Sequence, residues 1–173
     1  VLDLYGSGDG RYNAYFAQLQ TGYAHQLTWP LLVKYYGNEG LMSNMIYHVN
    51  MPKPLRLAEQ YLIRAEAYCR KGNYSAASSD LTALGQARYT SGGNLNVNAS
   101  NWQQTISDER VRELYMEGFR LQDLKRWNQG FERTPQSQTQ TEGSSLKIEA
   151  GNPLFGWPNP NHELVSPGSQ IQP

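Results

Sequence analysis

The sequence has little cysteine: Cys69 is its single one, which excludes any disulfide within the chain. Stability must therefore come from packing. Cys69 lies within a helical apolar pattern, and we expect a buried, inert thiol there rather than a reactive one.

The chain also lacks an excess of charge, since 15 Lys and Arg residues balance 15 Asp and Glu residues. A neutral chain has no net field to hold phosphate backbones, so nucleic-acid binding is disfavoured. No apolar run approaches the roughly 18 residues that a membrane helix needs, and no signal-peptide pattern is present. We therefore expect a fragment or a processed chain whose targeting information lies upstream of Val1.

Motifs of metal sites and of hydrolases are missing as well. His25, His48 and His162 are widely spaced and show no ligand pattern, so no metal site is predicted. The sequence contains no Gly-x-Ser-x-Gly, no phosphate-binding loop and no nucleophile with a visible activating partner. We predict no catalytic residue and no cofactor.

What the chain does have is aromatic and uncharged polar residues: 12 Tyr, 4 Trp and many amides and hydroxyls, with only 17% charged residues. Rings supply flat apolar area, while amides and hydroxyls form hydrogen bonds with hydroxyl groups. The mixture suits a protein that meets polar, uncharged ligands, although a Tyr-rich globular domain would show it too.

Two helices are predicted after an irregular, aromatic-rich start at residues 1–54, where turns are expected at residues 6–10 and 37–40. The first helix begins near Arg56 and closes at Gly72-Asn73. Ser75 is predicted to cap the second helix, which ends near Tyr89. Apolar residues at spacings of three and four form the buried face of the first helix: Ala58, Tyr61, Leu62, Ala65, Tyr68 and Cys69.

Together the two helices make a hairpin of about 34 residues, the size of one tetratricopeptide repeat. The order of large, small, aromatic and turn residues favours this repeat over an ordinary helical hairpin. The residues that carry the pattern are Tyr61, Ala65, Tyr68, Gly72, Tyr74, Ala77 and Leu81.

A third helix is predicted from Ser107, its cap, to Trp127, following an Asn-rich loop at residues 94–104. Within it, Gly118 either kinks the helix or permits close packing. Residues 134–145 are predicted to form an exposed loop. The tail from residue 146 should run extended over the helices, anchored by Leu154, Phe155, Trp157 and Leu164. The predicted fold is mainly α, one structural unit with an irregular part at residues 1–54 and a helical part with an extended tail at residues 55–173.

Carboxylates on the third helix invite a catalytic interpretation, because Glu113 and Glu117 lie one turn apart. We favour a structural role: Glu117 with Arg120, Arg120 with Asp123, and Asp123 with Arg126 are each three residues apart. Carboxylates paired in this way stay ionised, which is wrong for a general acid. Arg56, Glu59 and Glu66 could join the same network.

Three motifs together resemble the SusD/RagB family. The first is RLAEQYLIRAEAY at residues 56–68, and the second joins ERVREL, EGFR and DLKRW between residues 109 and 127. The third is WPNP at residues 157–160 followed by Glu163-Leu164, in which Asn159 departs from the family's apolar residue. Asp9-Gly10-Arg11 and Lys34-Tyr35 look like two shorter elements of the family. The resemblance spans nearly the whole chain but only the C-terminal portion of the longer family members.

The resemblance implies a SusD-like fold and a non-catalytic protein that captures glycans, or peptides in some members, at the outer-membrane cell surface. Such a lipoprotein passes its ligand to a SusC-like TonB-dependent transporter and touches the membrane only through an N-terminal lipid anchor, which we expect to be absent from this chain. Glycan contacts in the family come largely from residues upstream of the first motif. The predicted Asn-rich loop at residues 94–104 of this chain contains one further candidate ring. The candidate ligand-binding residues are therefore Tyr12, Tyr15, Trp29, Tyr35, Tyr36 and Trp102, although packing is the commoner role for such rings.

Two alternatives remain open. A tetratricopeptide-like adaptor would bind a protein partner in its concave face, but one clear repeat argues against it, because such arrays need about three repeats. A helical glycoside hydrolase would use Glu113 or Glu117.

Overall fold

In the computed structural model of the protein, the described residues are 1–20, 28–46, 49–51, 53–133 and 146–156, without the side chains of Glu39 and Met42. They are mainly helical, as predicted. The chain divides into two compact units, Val1–Glu117 and Gly118–Pro173. The predicted loop at residues 134–145 and the third motif from residue 157 lie outside the described residues.

The first unit is built on the predicted hairpin of α3 (Leu57–Arg70) and α4 (Tyr74–Gln86). Side chains at helical spacing fill the interface, and Leu62, Ala65 and Leu81 are completely buried. Gly72 has φ +75°, the left-handed conformation that ends a helix and that glycine adopts without a steric penalty. The three- and four-residue spacing therefore predicted this hairpin correctly.

The structure corrects the predicted cap of α4. Asn73, not Ser75, occupies the cap position, and its side-chain oxygen accepts a hydrogen bond from the Ala76 N–H at 3.2 Å. The helix begins directly after the Gly72 turn, so Ser75 already lies within its first turn. Asn and Ser are equally good caps, which is why composition could not choose between them.

The predicted third helix is two helices, α5 (Trp102–Glu113) and α6 (Arg120–Arg126). Ser107 does not cap α5 but lies inside it and is buried. Between the helices, Met116 and Gly118 have φ +60° and +86°, values that an α-helix cannot contain. Gly118 therefore does not serve close packing, and an added Cβ would meet nothing within 4 Å.

The described residues among 1–54 form short elements joined by irregular chain. Asp9 caps the short helix at Gly10–Tyr15 by accepting a hydrogen bond from the Arg11 N–H. The ring of Phe16 lies 5.5 Å from that of Tyr115, which packs this part against the residues after α5. The elements are a 3-10 turn at Leu2–Leu4, α1 (Gly10–Tyr15), the antiparallel strands β1 (Phe16–Gln20) and β2 (Thr28–Leu32), and α2 (Glu39–Met42).

The second unit contains α6 and a small core of Leu124, Trp127 and Phe155. The prediction that Leu154 anchors the tail is wrong, because its side chain is 72% exposed, whereas Phe155 is buried as predicted. Trp157 and Leu164 lie outside the described residues. The remaining elements are the paired strands β3 (Phe131–Glu132) and β4 (Lys147–Ile148) and a 3-10 turn at Pro153–Phe155.

Two predictions about single features can be compared with the described residues. Cys69 is buried in α3, and burial raises the pKa of its thiol, as expected of an unreactive cysteine. In the described part of the chain, no helix combines the length and the apolar character needed to cross a bilayer.

Candidate functional site

A network of charged side chains, called the ion network below, joins α1, α5 and the segments that flank α3 and α4. Its members are largely buried and lie in the first unit. They are the carboxylates Asp9, Glu109, Glu113 and Glu117 and the basic groups Arg11, Lys34, Arg56, Arg88 and Arg112.

Glu113, at the end of α5, has no exposed side-chain surface and contacts three guanidinium groups. Arg88 donates to both carboxylate oxygens, from Nε to Oε2 at 2.8 Å and from Nη2 to Oε1 at 3.1 Å. Arg56 Nη1 donates to Oε1 at 2.9 Å, and Arg11 Nη1 donates to Oε2 at 3.2 Å. One carboxylate thus holds together segments that lie up to 102 residues apart in sequence.

Arg11 is the most deeply buried basic group of the ion network, with 2% of its side chain exposed. It forms a bidentate pair with Asp9, from Nε to Oδ1 at 2.8 Å and from Nη2 to Oδ2 at 2.7 Å, and Nη1 donates to Glu109 Oε1. Burial alone would lower the pKa of Arg11, but the hydrogen bonds and charges of Asp9 and Glu109 raise it overall. Asp9 therefore both caps α1 and fixes the arginine.

Lys34 binds the C-terminal end of α5. Its Nζ donates to the backbone oxygens of Glu113 and Tyr115 at 2.8 and 3.1 Å and forms an ion pair with Glu117. Helix C-termini expose carbonyls that attract cations, so this position suits a lysine. Burial lowers the pKa of Lys34 in spite of its carboxylate neighbour. The ammonium group also lies 4.2 Å from the centre of the Tyr15 ring.

The ion network is suited to bracing helices and not to acid–base catalysis. Burial would raise the pKa of Glu113, but the guanidinium groups of Arg88, Arg56 and Arg11 outweigh burial and hold the pKa below its usual value. A general acid near neutral pH needs the opposite shift. The carboxylate therefore stays ionised, as we expected.

The partners of the carboxylates are in part those predicted. Glu117 pairs with Lys34 and Arg56 from distant segments. The predicted pair of Asp123 with Arg126 is confirmed, with Oδ1 and Nε 2.8 Å apart. The pairs that involve Arg120 stay predictions. Arg56 joins the ion network as expected, while Glu66 pairs with Arg70 of its own helix.

Three members of the ion network were missed from the sequence as partners of these carboxylates: Arg11, Lys34 and Arg88. Arg11 and Lys34 lie in the two shorter family elements noted above, and that was the available signal. Arg88 falls within the predicted second helix, which was expected to end near Tyr89, but α4 ends at Gln86, two residues before Arg88. Its side chain is thereby directed toward Glu113.

No group of three His, Cys, Asp or Glu side chains that could hold a metal ion occurs among the residues that the structure describes. His25, His48 and His162 lie outside those residues, so the prediction about them stays a prediction.

Four of the six candidate rings are partly buried and make contacts within the first unit. The Tyr12 hydroxyl accepts a hydrogen bond from Gln18 Nε2 at 2.9 Å. Burial and the charge of Glu113 raise the pKa of Tyr15 to about 12. Burial likewise raises the pKa of Tyr35. The guanidinium group of Arg70 lies 5.7 Å from the centre of the Trp102 ring.

The other two candidate rings, Trp29 and Tyr36, are 40% and 48% exposed. Trp29 lies in β2 directly opposite Leu19 of β1, so these two side chains share one face of the hairpin with Leu31. Leu19 and Leu31 are also exposed, at 44% and 37%. An indole on an exposed strand can offer a flat apolar face to a ligand.

No curated protein and no solved structure is significantly similar to the chain. Its sequence does match the profile of the SusD family over residues 2–160, well over half of its length. Members of this family are non-enzymatic binding proteins, in agreement with the ion-paired carboxylates of the ion network. On the strength of this match, the chain belongs to the SusD family.

Proposed function

We propose that the chain is part of a surface lipoprotein that binds glycans and delivers oligosaccharide to a SusC-like TonB-dependent transporter. The family match over residues 2–160 carries this proposal, since glycan binding beside such a transporter is what SusD family membership implies. Surface lipoproteins are likewise the rule for the family. That this particular chain binds a glycan, and delivers it, is the step of the proposal that goes beyond family membership.

The exposed rings support the proposal. Carbohydrates present apolar C–H faces that stack on indole and phenol rings, with hydroxyl groups around the rim for hydrogen bonds. Trp29 and Tyr36 have the open ring surface that such stacking requires. The neutral composition fits an uncharged ligand, because no net field favours an anion.

The ion network suggests that different residues of the first unit serve stability and ligand recognition. Its charges are satisfied by one another, so it braces the helices and leaves recognition to uncharged groups. Glu113 and Glu117, the two carboxylates that a hydrolase would use, are held in ion pairs with basic side chains and are poorly placed to attack a glycosidic bond. We therefore favour binding over the hydrolase alternative.

Calorimetric titration of the chain with neutral oligosaccharides tests the proposal. We expect Trp29→Ala and Tyr36→Ala to weaken binding by about fivefold or more, the range of one stacking contact. Leu57→Ala, which removes an exposed apolar side chain of α3, is the matched control and should have no effect. If these two variants bind the oligosaccharides as tightly as the wild type does, Trp29 and Tyr36 are not part of the binding site.

The transporter partner is tested by co-purification of the native lipoprotein from outer membranes, in which a TonB-dependent transporter should be recovered with it. Its absence would count against delivery while leaving glycan binding intact. The adaptor alternative receives no support: α3 and α4 form the one hairpin of tetratricopeptide size among the described residues, fewer than the roughly three repeats that an array needs.

A further inference from the structure

An open groove with a volume of about 590 Å³ runs along one side of α4, and none of the rings proposed above lines it. Sites for small ligands commonly have volumes of about 300–1,000 Å³. The segment after residue 94 forms one wall. Val97 is buried against α4, and its N–H donates to Ser78 Oγ at 3.0 Å, which fixes that wall to the helix.

The chemistry of the groove is neutral and rich in hydroxyl groups. Among the described residues that line it, none is charged. One aromatic ring lies at the start of α4, and amides lie at its end and on the opposite wall. The polar lining residues beyond Ser78 are Tyr74, Ser75, Ser79, Thr82, Gln86 and Asn96.

Most of these polar groups are not used by the fold. Ser79 Oγ donates to the backbone oxygen of Ser75 at 3.1 Å, the usual bond of a serine inside a helix. By contrast, the side chains of Thr82, Gln86 and Asn96 make no hydrogen bond to any other residue that the structure describes. Their hydrogen-bond donors and acceptors are therefore available to a ligand in the groove.

The choice of residues on this face also costs helix stability. Ser and Thr form helices less well than the Ala, Glu, Lys and Gln that usually occupy exposed positions. Here hydroxyl side chains recur at residues 75, 78, 79 and 82, so that they line one side of α4. Only Ser78 and Ser79 of these hydroxyls form hydrogen bonds within the described residues, so a binding role would explain a face that is otherwise unfavourable for the helix.

We propose that this groove is a second glycan subsite that takes a neutral oligosaccharide, an inference that rests on the proposed glycan-binding function. Sugar hydroxyl groups donate to and accept from the same side-chain types that line the groove. The Tyr74 ring supplies the apolar surface that one sugar face needs. The absence of charge from the lining disfavours sulfated and acidic glycans.

The test is titration of the isotope-labelled chain with malto-, cello-, xylo- and manno-oligosaccharides, followed by calorimetry and by amide chemical shifts. We expect shifts at Thr82, Ala83 and Asn96. Ala83→Trp, which fills the groove from an exposed helix position, should weaken binding by about tenfold or more, as loss of several hydrogen bonds would. Ala67→Trp, on the exposed face of α3, is the matched control and should bind as the wild type does.

Thr82→Val gives a second measure, because it removes one hydroxyl at constant volume and should weaken binding by a few-fold even if the tryptophan variant folds poorly. Binding that is lost in Trp29→Ala but unchanged in Ala83→Trp and Thr82→Val would overturn the groove while leaving the proposed function in place. If none of the four oligosaccharide types binds the wild-type chain, the proposed function fails and the groove fails with it.

Discussion

The strongest structural prediction concerns Glu113, whose replacement by glutamine should remove a large share of the stability of the first unit. The carboxylate is fully buried and accepts four side-chain hydrogen bonds from Arg11, Arg56 and Arg88. Glutamine keeps the shape but leaves the three guanidinium groups without their shared counter-charge. Removing one partner of a buried ion pair costs about 3–5 kcal/mol. That is a large share of the roughly 5–15 kcal/mol that stabilises a domain.

Urea denaturation followed by circular dichroism measures this loss. Asp3→Asn is the matched control, since it removes one negative charge from an exposed position of the same unit and should leave the midpoint unchanged. Added salt should not close the gap between Glu113→Gln and the wild type, because buried pairs are screened far less than exposed ones. A loss below about 1 kcal/mol, the range of an exposed ion pair, would refute the idea that the ion network braces the helices.

Three further outcomes are expected. Because arginines hold the pKa of Glu113 below its usual value, its contribution to stability is complete above the unfolded pKa of about 4.3 and is lost as the pH falls through the lower folded value. Acid unfolding curves should show this loss, and Glu113→Gln should flatten them. The Cys69 thiol should react with a thiol-specific reagent only on unfolding; fast modification of the native chain would contradict its burial. Gly85→Ala should cost about 1–3 kcal/mol, because an added Cβ would lie 2.1 Å from the backbone oxygen of Gly93. Gly6→Ala, with open space around it, is the control, and equal midpoints for the two variants would show that the close approach is relaxed at no cost.

The hairpin of α3 and α4 could be predicted from the sequence because the residues that determine it are close together in the chain. The three- and four-residue spacing defines the buried faces, and Gly72 supplies the left-handed turn. The boundaries were less certain because several good capping residues compete within a few positions. Asn73 was preferred to Ser75, and α5 begins at Trp102 because turns built on Asn98 start the helix well ahead of Ser107.

Only one of the two residues that break the chain between α5 and α6 could be identified from the sequence. Gly118 is a known helix breaker, and the sequence flagged it. Met116, however, adopts φ +60°, which nothing about a methionine predicts. Two left-handed residues in three positions end a helix where one glycine could have been tolerated.

The ion network shows why the rest of the site could not be predicted from spacing. The partners of Glu113 lie 25, 57 and 102 residues away, so no helical periodicity connects them. The spacing correctly predicts paired carboxylates, but it names partners only on the same helix and around the helix that begins near Arg56. Ring exposure has the same difficulty: Tyr35 and Tyr36 are neighbours in sequence, yet only Tyr36 is among the exposed rings.

The distribution of charge in the first unit bears on what the protein can recognise. Arginines could bind sulfated or acidic glycans, but Arg11, Arg56 and Arg88 are already bound to buried carboxylates. Recruiting any of them for an anionic ligand would take from the buried Glu113 one of its three arginine partners and so weaken the ion network. The polar groups that remain open beside α4 are hydroxyls and amides. The need to keep the brace intact therefore directs this part of the molecule toward neutral ligands.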